Sequence, residues 1–170
     1  DKKPRRIFVL TAVLLTSAAV LLLVLFPPAG RLPLLTLFEG ARLEFAADGM
    51  SRIFLCIIAL LWPPTTLYAF DYMEHEENKN RFFAFFLLSY GITAGIALAG
   101  NLLTLYLFFE LLTLATMPLV MHEGDDRARF AGKRYLLFSM SGAALGFIAV
   151  VFISACGSAP MAFDLGGVLD

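Results

Sequence analysis

Apolar residues fall into five long runs separated by short polar stretches, and each run is long enough to cross a hydrocarbon core of about 20 helical residues. The pattern predicts helices over about 7–26, 53–72, 82–100, 102–121 and 135–155. No series of short alternating segments of the kind that builds a membrane β-barrel is present. The expected fold is therefore all-α: a polytopic membrane protein of five transmembrane helices forming one region over 1–170.

The longest polar interval runs from Pro27 to Gly49. Pro27-Pro28 ends the first helix, because proline lacks the donor a helix needs. Leu32 to Phe38 suits a short interfacial piece, and the alternation Leu43-Glu44-Phe45 suits a short extended stretch. Asp48 precedes the second helix and suits its N-cap. Inside that helix, Trp62-Pro63-Pro64 predicts a bend. Gly91, Gly95 and Ala99 in the third run, and Gly142 and Gly146 in the fifth, recur every four residues and suit close helix packing in lipid. The tight Gly100-Asn101 connection makes the third and fourth helices an antiparallel pair.

Basic residues orient the bundle. Ten of them (Lys2, Lys3, Arg5, Arg6, Lys79, Arg81, Arg127, Arg129, Lys133, Arg134) fall on one side if all five runs cross; only Arg31, Arg42 and Arg52 fall on the other. The positive side is cytoplasmic by the usual bias, which puts the amino terminus inside and the carboxyl terminus outside, in a cell (plasma) membrane.

Composition agrees and excludes other classes. The chain is 59% hydrophobic, more than a soluble domain of 170 residues can bury. A net charge of −1 gives no electrostatic footprint for nucleic acid. Cys56 and Cys156 lie within apolar runs and fit no metal spacing, and His75 and His122 lie in or beside loops without a partner at ligand spacing. No cofactor or metal is expected, and no nucleophile elbow or phosphate loop points to an enzyme acting by itself. Lys2 to Arg6 before an apolar run mimics a signal peptide, but the run is too long and no convincing cleavage site follows. A chain that begins at Asp1 and stops soon after its fifth run reads as a piece of a larger membrane protein. The cluster Glu74-His75-Glu76-Glu77 and the mixed-charge stretch His122 to Arg134 read as solvated surface.

One residue breaks the pattern. Glu110 lies mid-way along the fourth run, where a carboxylate costs about 2.5 kcal/mol or more. Tyr106 at i−4 and Thr113 at i+3 share its face, and Thr116 extends the stripe by a turn. A polar seam of this kind has to face protein or water. Burial raises the proton affinity of a carboxylate and a nearby cation lowers it, so a moving cation makes such a group a proton relay. No Lys or Arg lies within the five runs, so the cation has to come from elsewhere. The alternative is a protonated Glu110 that glues helices together in a scaffold subunit.

The stretch Asn101-Leu-Leu-Thr-Leu-Tyr-Leu-Phe-Phe-Glu110-Leu-Leu-Thr113 resembles the fifth helix of the antiporter-like subunits of respiratory complex I, membrane-bound hydrogenases and multisubunit Mrp sodium/proton antiporters. Phe45 to Ser51, Tyr72-Met73 with Arg81-Phe82-Phe83, and Lys133-Arg134-Tyr135 through Gly146 resemble flanking segments of that family, in order, over about residues 40–155. The resemblance implies that the five runs are the family's second to sixth helices of about fourteen. It also implies that Glu110 matches its glutamate, and that the partner lysine sits on a broken seventh helix which no position here matches. The implied partners are the lipid bilayer, other membrane subunits of an antiporter or respiratory-type complex, and protons, with sodium as the other candidate ion.

Overall fold

Five helices and one β-hairpin follow each other in the computed structural model, which describes residues 2–38, 41–156 and 162–163. The helices are α1 (Lys2–Leu25), α2 (Gly49–Tyr72), α3 (Lys79–Ala97), α4 (Leu102–Val120) and α5 (Asp126–Cys156); strands β1 (Arg31–Phe38) and β2 (Ala41–Ala46) lie between α1 and α2. All five helices are long and apolar enough to cross a membrane. Asp1 and the end at Asp170 lie outside the described residues.

Each apolar run became one helix, and several helices extend past it. A hydropathy run marks membrane depth, whereas a helix ends where its hydrogen bonds end. Thus α1 includes Lys3, Arg5 and Arg6, and α2 starts four residues before Ile53, capped by Asp48, whose carboxylate accepts from the Ser51 N–H at 2.7 Å. The largest extension corrects the surface-loop reading of His122 to Arg134: α5 begins at Asp126. Asp125 accepts from the Ala128 N–H at 2.6 Å, as an N-cap does, and Gly124 takes the left-handed φ of 74° that turns the chain out of α4.

The all-α expectation gains a two-stranded antiparallel sheet. Arg31 pairs with Ala46, Leu32 with Phe45 and Pro33 with Glu44 before a register shift. The extended reading of Leu43-Glu44-Phe45 is therefore right, and Leu32 to Phe38 is its partner strand. The hairpin lies on the α3–α4 connection, where the Ala46 N–H donates to the Leu98 carbonyl at 2.8 Å and the Gly100 N–H to the Glu44 carbonyl at 2.9 Å.

The core sits among α1, α2 and α3. One buried cluster joins Val9 of α1 to Ala69, Phe70 and Met73 at the end of α2 and Phe83 of α3. Another joins Val20 to Leu55, Ala59 and Ala94. Between them the Ser17 and Tyr90 hydroxyls share a buried 2.7 Å hydrogen bond, and the Tyr90 ring stacks on Trp62 with centroids 4.7 Å apart. Pro63 and Pro64 stay inside α2, next to Thr66, whose hydroxyl donates to the Trp62 carbonyl at 2.8 Å. Toward α5 the bundle opens out. Leu137, Phe138, Leu145 and Phe152 are all exposed, as suits a face met by lipid or by another apolar helix.

Contacts fix how the helices alternate. Arg5 donates to Asn80 and Arg6 to the Phe70 carbonyl, and a His122 ring nitrogen lies 3.0 Å from the Glu77 carbonyl oxygen. The start of α1 and the α2–α3 and α4–α5 connections therefore share one end of the bundle. The hairpin and the α3–α4 connection share the other, as five crossings require.

Candidate functional site

The turn into α4 is built by Asn101, which is buried. Its side-chain oxygen accepts from the Thr104 N–H at 2.8 Å and from the Thr104 hydroxyl at 2.7 Å, while its amide donates to the Arg42 carbonyl at 2.7 Å. One side chain thus caps α4 and pins it to β2. Leu, Tyr and Phe then carry the helix inward to Glu110, which is half-buried.

The seam read from the sequence is partly assembled. The Tyr106 hydroxyl donates to the Ala143 carbonyl of α5 at 3.2 Å, and its ring lies against Phe147 and over Gly146, where a Cβ would meet it at 3.5 Å. Thr116 reaches α5 as well, with its hydroxyl 2.9 Å from that of Tyr135. Thr113 turns back on its own helix and donates to the Phe109 carbonyl at 3.3 Å. The two ends of the seam therefore face α5. Among the described residues, Glu110 takes part in no hydrogen bond or ion pair. The four side chains do not form one closed network.

Small residues set how closely α4 is approached. A Cβ at Gly95 of α3 would fall on the Phe108 ring, so only glycine admits that contact. At Gly146 a Cβ would meet the Tyr106 ring at 3.5 Å, an ordinary contact that does not demand glycine, and Gly91 and Gly142 face open space. Of the four glycines read from the spacing, only Gly95 thus sits where close helix packing requires it.

A second polar group, not singled out in the sequence, lies at the hairpin end. Glu44 is only 8% exposed, and its carboxylate is 2.7 Å from Arg31. Arg31 also donates to the Phe163 carbonyl at 3.1 Å, and the Glu44 N–H donates to the Thr104 hydroxyl at 3.0 Å. The signal was present: on antiparallel strands Arg31 faces Ala46, so Glu44, two residues earlier, is its diagonal neighbour. The group clasps β1, β2, Phe163 and the first turn of α4 together. Among the described residues no His, Cys, Asp and Glu cluster could hold a metal ion.

Comparison with known proteins points in one direction. Residues 40–83, from the hairpin to the start of α3, match the family described as NADH-ubiquinone oxidoreductase (complex I), chain 5 N-terminus. The chain is 29% identical over 131 residues to a probable K(+)/H(+) antiporter subunit of Rhizobium meliloti (strain 1021), covering 76% of this chain and 13% of that protein. It is 29% identical over 134 residues to the putative antiporter subunit mnhA2 of Staphylococcus saprophyticus, covering 75% of this chain and 16% of that protein. It is 26% identical over 118 residues to a Na(+)/H(+) antiporter subunit of Alkalihalophilus pseudofirmus, covering 67% and 15%. The matches thus span 13–16% of the length of these relatives.

Proposed function

The chain is similar to the amino-terminal part of the antiporter-like membrane subunits, and from that premise we propose that it belongs to a subunit that moves protons, or exchanges sodium for protons, within a multisubunit membrane complex. Glu110 is the relay carboxylate. The observation that carries this reading is a carboxyl group half-buried mid-way along a bilayer-length helix, with Tyr106 and Thr116 on either side of it holding that helix to α5. A cation stabilises the ionised form of a carboxylate, so one that approaches and withdraws drives proton release and uptake in turn. That cation comes from outside the apolar stretches of the five helices, which contain no Lys or Arg. Tyr106 and Thr116 position α4 against α5, and Thr113, on the same face, holds water beside the carboxyl. The basic end, with Arg5, Lys79 and Arg81, is cytoplasmic, and the membrane is the plasma membrane.

The test is Glu110→Gln in the assembled complex. Glutamine keeps the shape and cannot give up a proton, so ion translocation falls by roughly tenfold or more while assembly is retained. Near-normal translocation with normal assembly would sink the reading, and would leave Glu110 as a packing residue of a scaffold.

A further inference from the structure

The last helix is longer than a bilayer needs. The 31 residues of α5 rise about 46 Å, against a hydrocarbon core of about 30 Å. No Asp, Glu, Lys or Arg occurs from Tyr135 to Cys156, so that stretch crosses the core and Asp126 to Arg134 stands in the headgroup layer.

One side of α5 belongs to α4. Ala128, Gly132 and Val150 are buried, and between them Tyr135 meets Thr116 while Ala143 and Gly146 meet Tyr106. The opposite side is open. Phe130, Leu137, Leu145 and Phe152 are exposed on it, and Lys133 and Arg134 are exposed among them. Phe130 and Arg134 are one turn apart, as are Lys133 and Leu137, so they form two neighbouring ridges. Along these ridges the face changes from cationic to apolar within one turn, at the depth where a phospholipid changes from phosphate to acyl chain.

The two cations are aimed at the phosphate layer. Side chains tilt toward the start of their helix, which here carries both charges away from the bilayer centre. The Arg134 guanidinium lies over the Phe130 ring, 4.6 Å from its centroid, one turn back along the helix. Asp126, the acid nearest in sequence, is engaged by Arg129 at 3.5 Å. Among the described residues, Lys133 and Arg134 meet no carboxylate. An apolar helix laid on this face would match Leu137 and Leu145 and leave both charges unmatched. An acyl chain with a phosphate at its head matches both parts.

We propose that this face of α5 is a binding site for an anionic phospholipid, with the phosphodiester held by Lys133 and Arg134 and an acyl chain lying along Leu137, Leu145 and Phe152. Arginine offers a planar fork to two phosphate oxygens and lysine a point charge beside it. A zwitterionic phospholipid brings its own cation against the pair and binds less well. The inference is independent of the translocation role.

The test places the assembled complex in phosphatidylcholine vesicles containing a small fraction of a lipid probe with a photoreactive acyl chain. Two probes are compared, one phosphatidylglycerol and one phosphatidylcholine, and cross-linked peptides are located by mass spectrometry. The phosphatidylglycerol probe is expected to label α5 between Leu137 and Phe152 about fivefold or more above the phosphatidylcholine probe, since each cation near the surface is worth about fivefold in affinity for an anionic lipid. Lys133→Gln/Arg134→Gln is expected to abolish that excess. Equal labelling of the wild type by the two probes means that α5 meets bulk lipid without selecting it, and overturns the proposal. Labelling of α5 by neither probe means that a protein helix covers the face, and overturns it too. So does an excess that survives in the double variant, which places the selection elsewhere. If the double variant does not assemble, the two-probe comparison on the wild type decides.

Discussion

Asp48 is a carboxylate whose effect can be read from one hydrogen bond. The Ser51 backbone N–H beside it holds its pKa below the usual carboxylate value, although partial burial works the other way. A lowered folded-state pKa means that ionised Asp48 stabilises the fold at neutral pH. That contribution is complete above the ordinary carboxylate range and is lost as pH falls through the lowered value. Asp48→Ala is therefore expected to cost about 1 kcal/mol at pH 7, the usual worth of an N-cap, and progressively less toward acid. Unfolding in detergent at several pH values checks this; a penalty that does not shrink with acid would show that the cap acts through something other than charge. Glu44 makes a different case, because its carboxylate is buried against Arg31. Glu44→Ala removes a charge-assisted hydrogen bond while Arg31 keeps its bond to the Phe163 carbonyl, and a loss of about 1–3 kcal/mol is expected, concentrated in the hairpin. Faster hydrogen exchange at the Ala46 and Gly100 amides, which bond across to Leu98 and Glu44, would register it; unchanged exchange would mean the clasp is held by backbone alone.

The helices were legible in the sequence because lipid imposes one rule on every residue of a span, and five runs of apolar side chains state that rule five times. The hairpin was legible only in half, because Leu43-Glu44-Phe45 alternates while Leu32 to Phe38 is mostly apolar and fits a strand or an interfacial turn equally well. The start of α5 was missed because Arg127, Arg129, Lys133 and Arg134 look like loop, although Asp125 is an N-cap signal in plain view. Of the seam around Glu110, periodicity could say only that the four side chains share a face; that Tyr106 and Thr116 bond to α5 while Thr113 bonds to its own helix is visible in the fold alone. Spacing also treats all glycines alike, and α3 separates them. Gly95 lies against Phe108 and Gly91 faces open space. Substituting valine at each changes helix propensity equally, so the difference between the two variants isolates packing. Gly95→Val is expected to be less stable than Gly91→Val by about 1–3 kcal/mol, the usual cost of overpacking. Equal stabilities in micelles would mean that Phe108 swings aside freely and that α3 and α4 are not locked at this point.

Five crossings bring the basic connections to one end of the molecule and the hairpin to the other, and function depends on which end faces which compartment. The distribution of basic residues argues that the end carrying the basic connections meets the cytoplasm. Labelling can decide this directly. With Cys56 and Cys156 replaced by serine, a single cysteine at His75 reports the α2–α3 connection, and one at Thr36 reports the hairpin. In intact cells an impermeant maleimide is expected to label the Thr36 position and not the His75 position; in inverted vesicles the preference reverses. Labelling of both from the same face would mean an even number of crossings between the hairpin and the α2–α3 connection, which a single membrane-spanning α2 cannot provide. Reversed labelling would keep the fold and invert its direction across the membrane. The orientation experiment therefore tests the basic-residue argument alone, while the variant at Glu110 tests the chemistry.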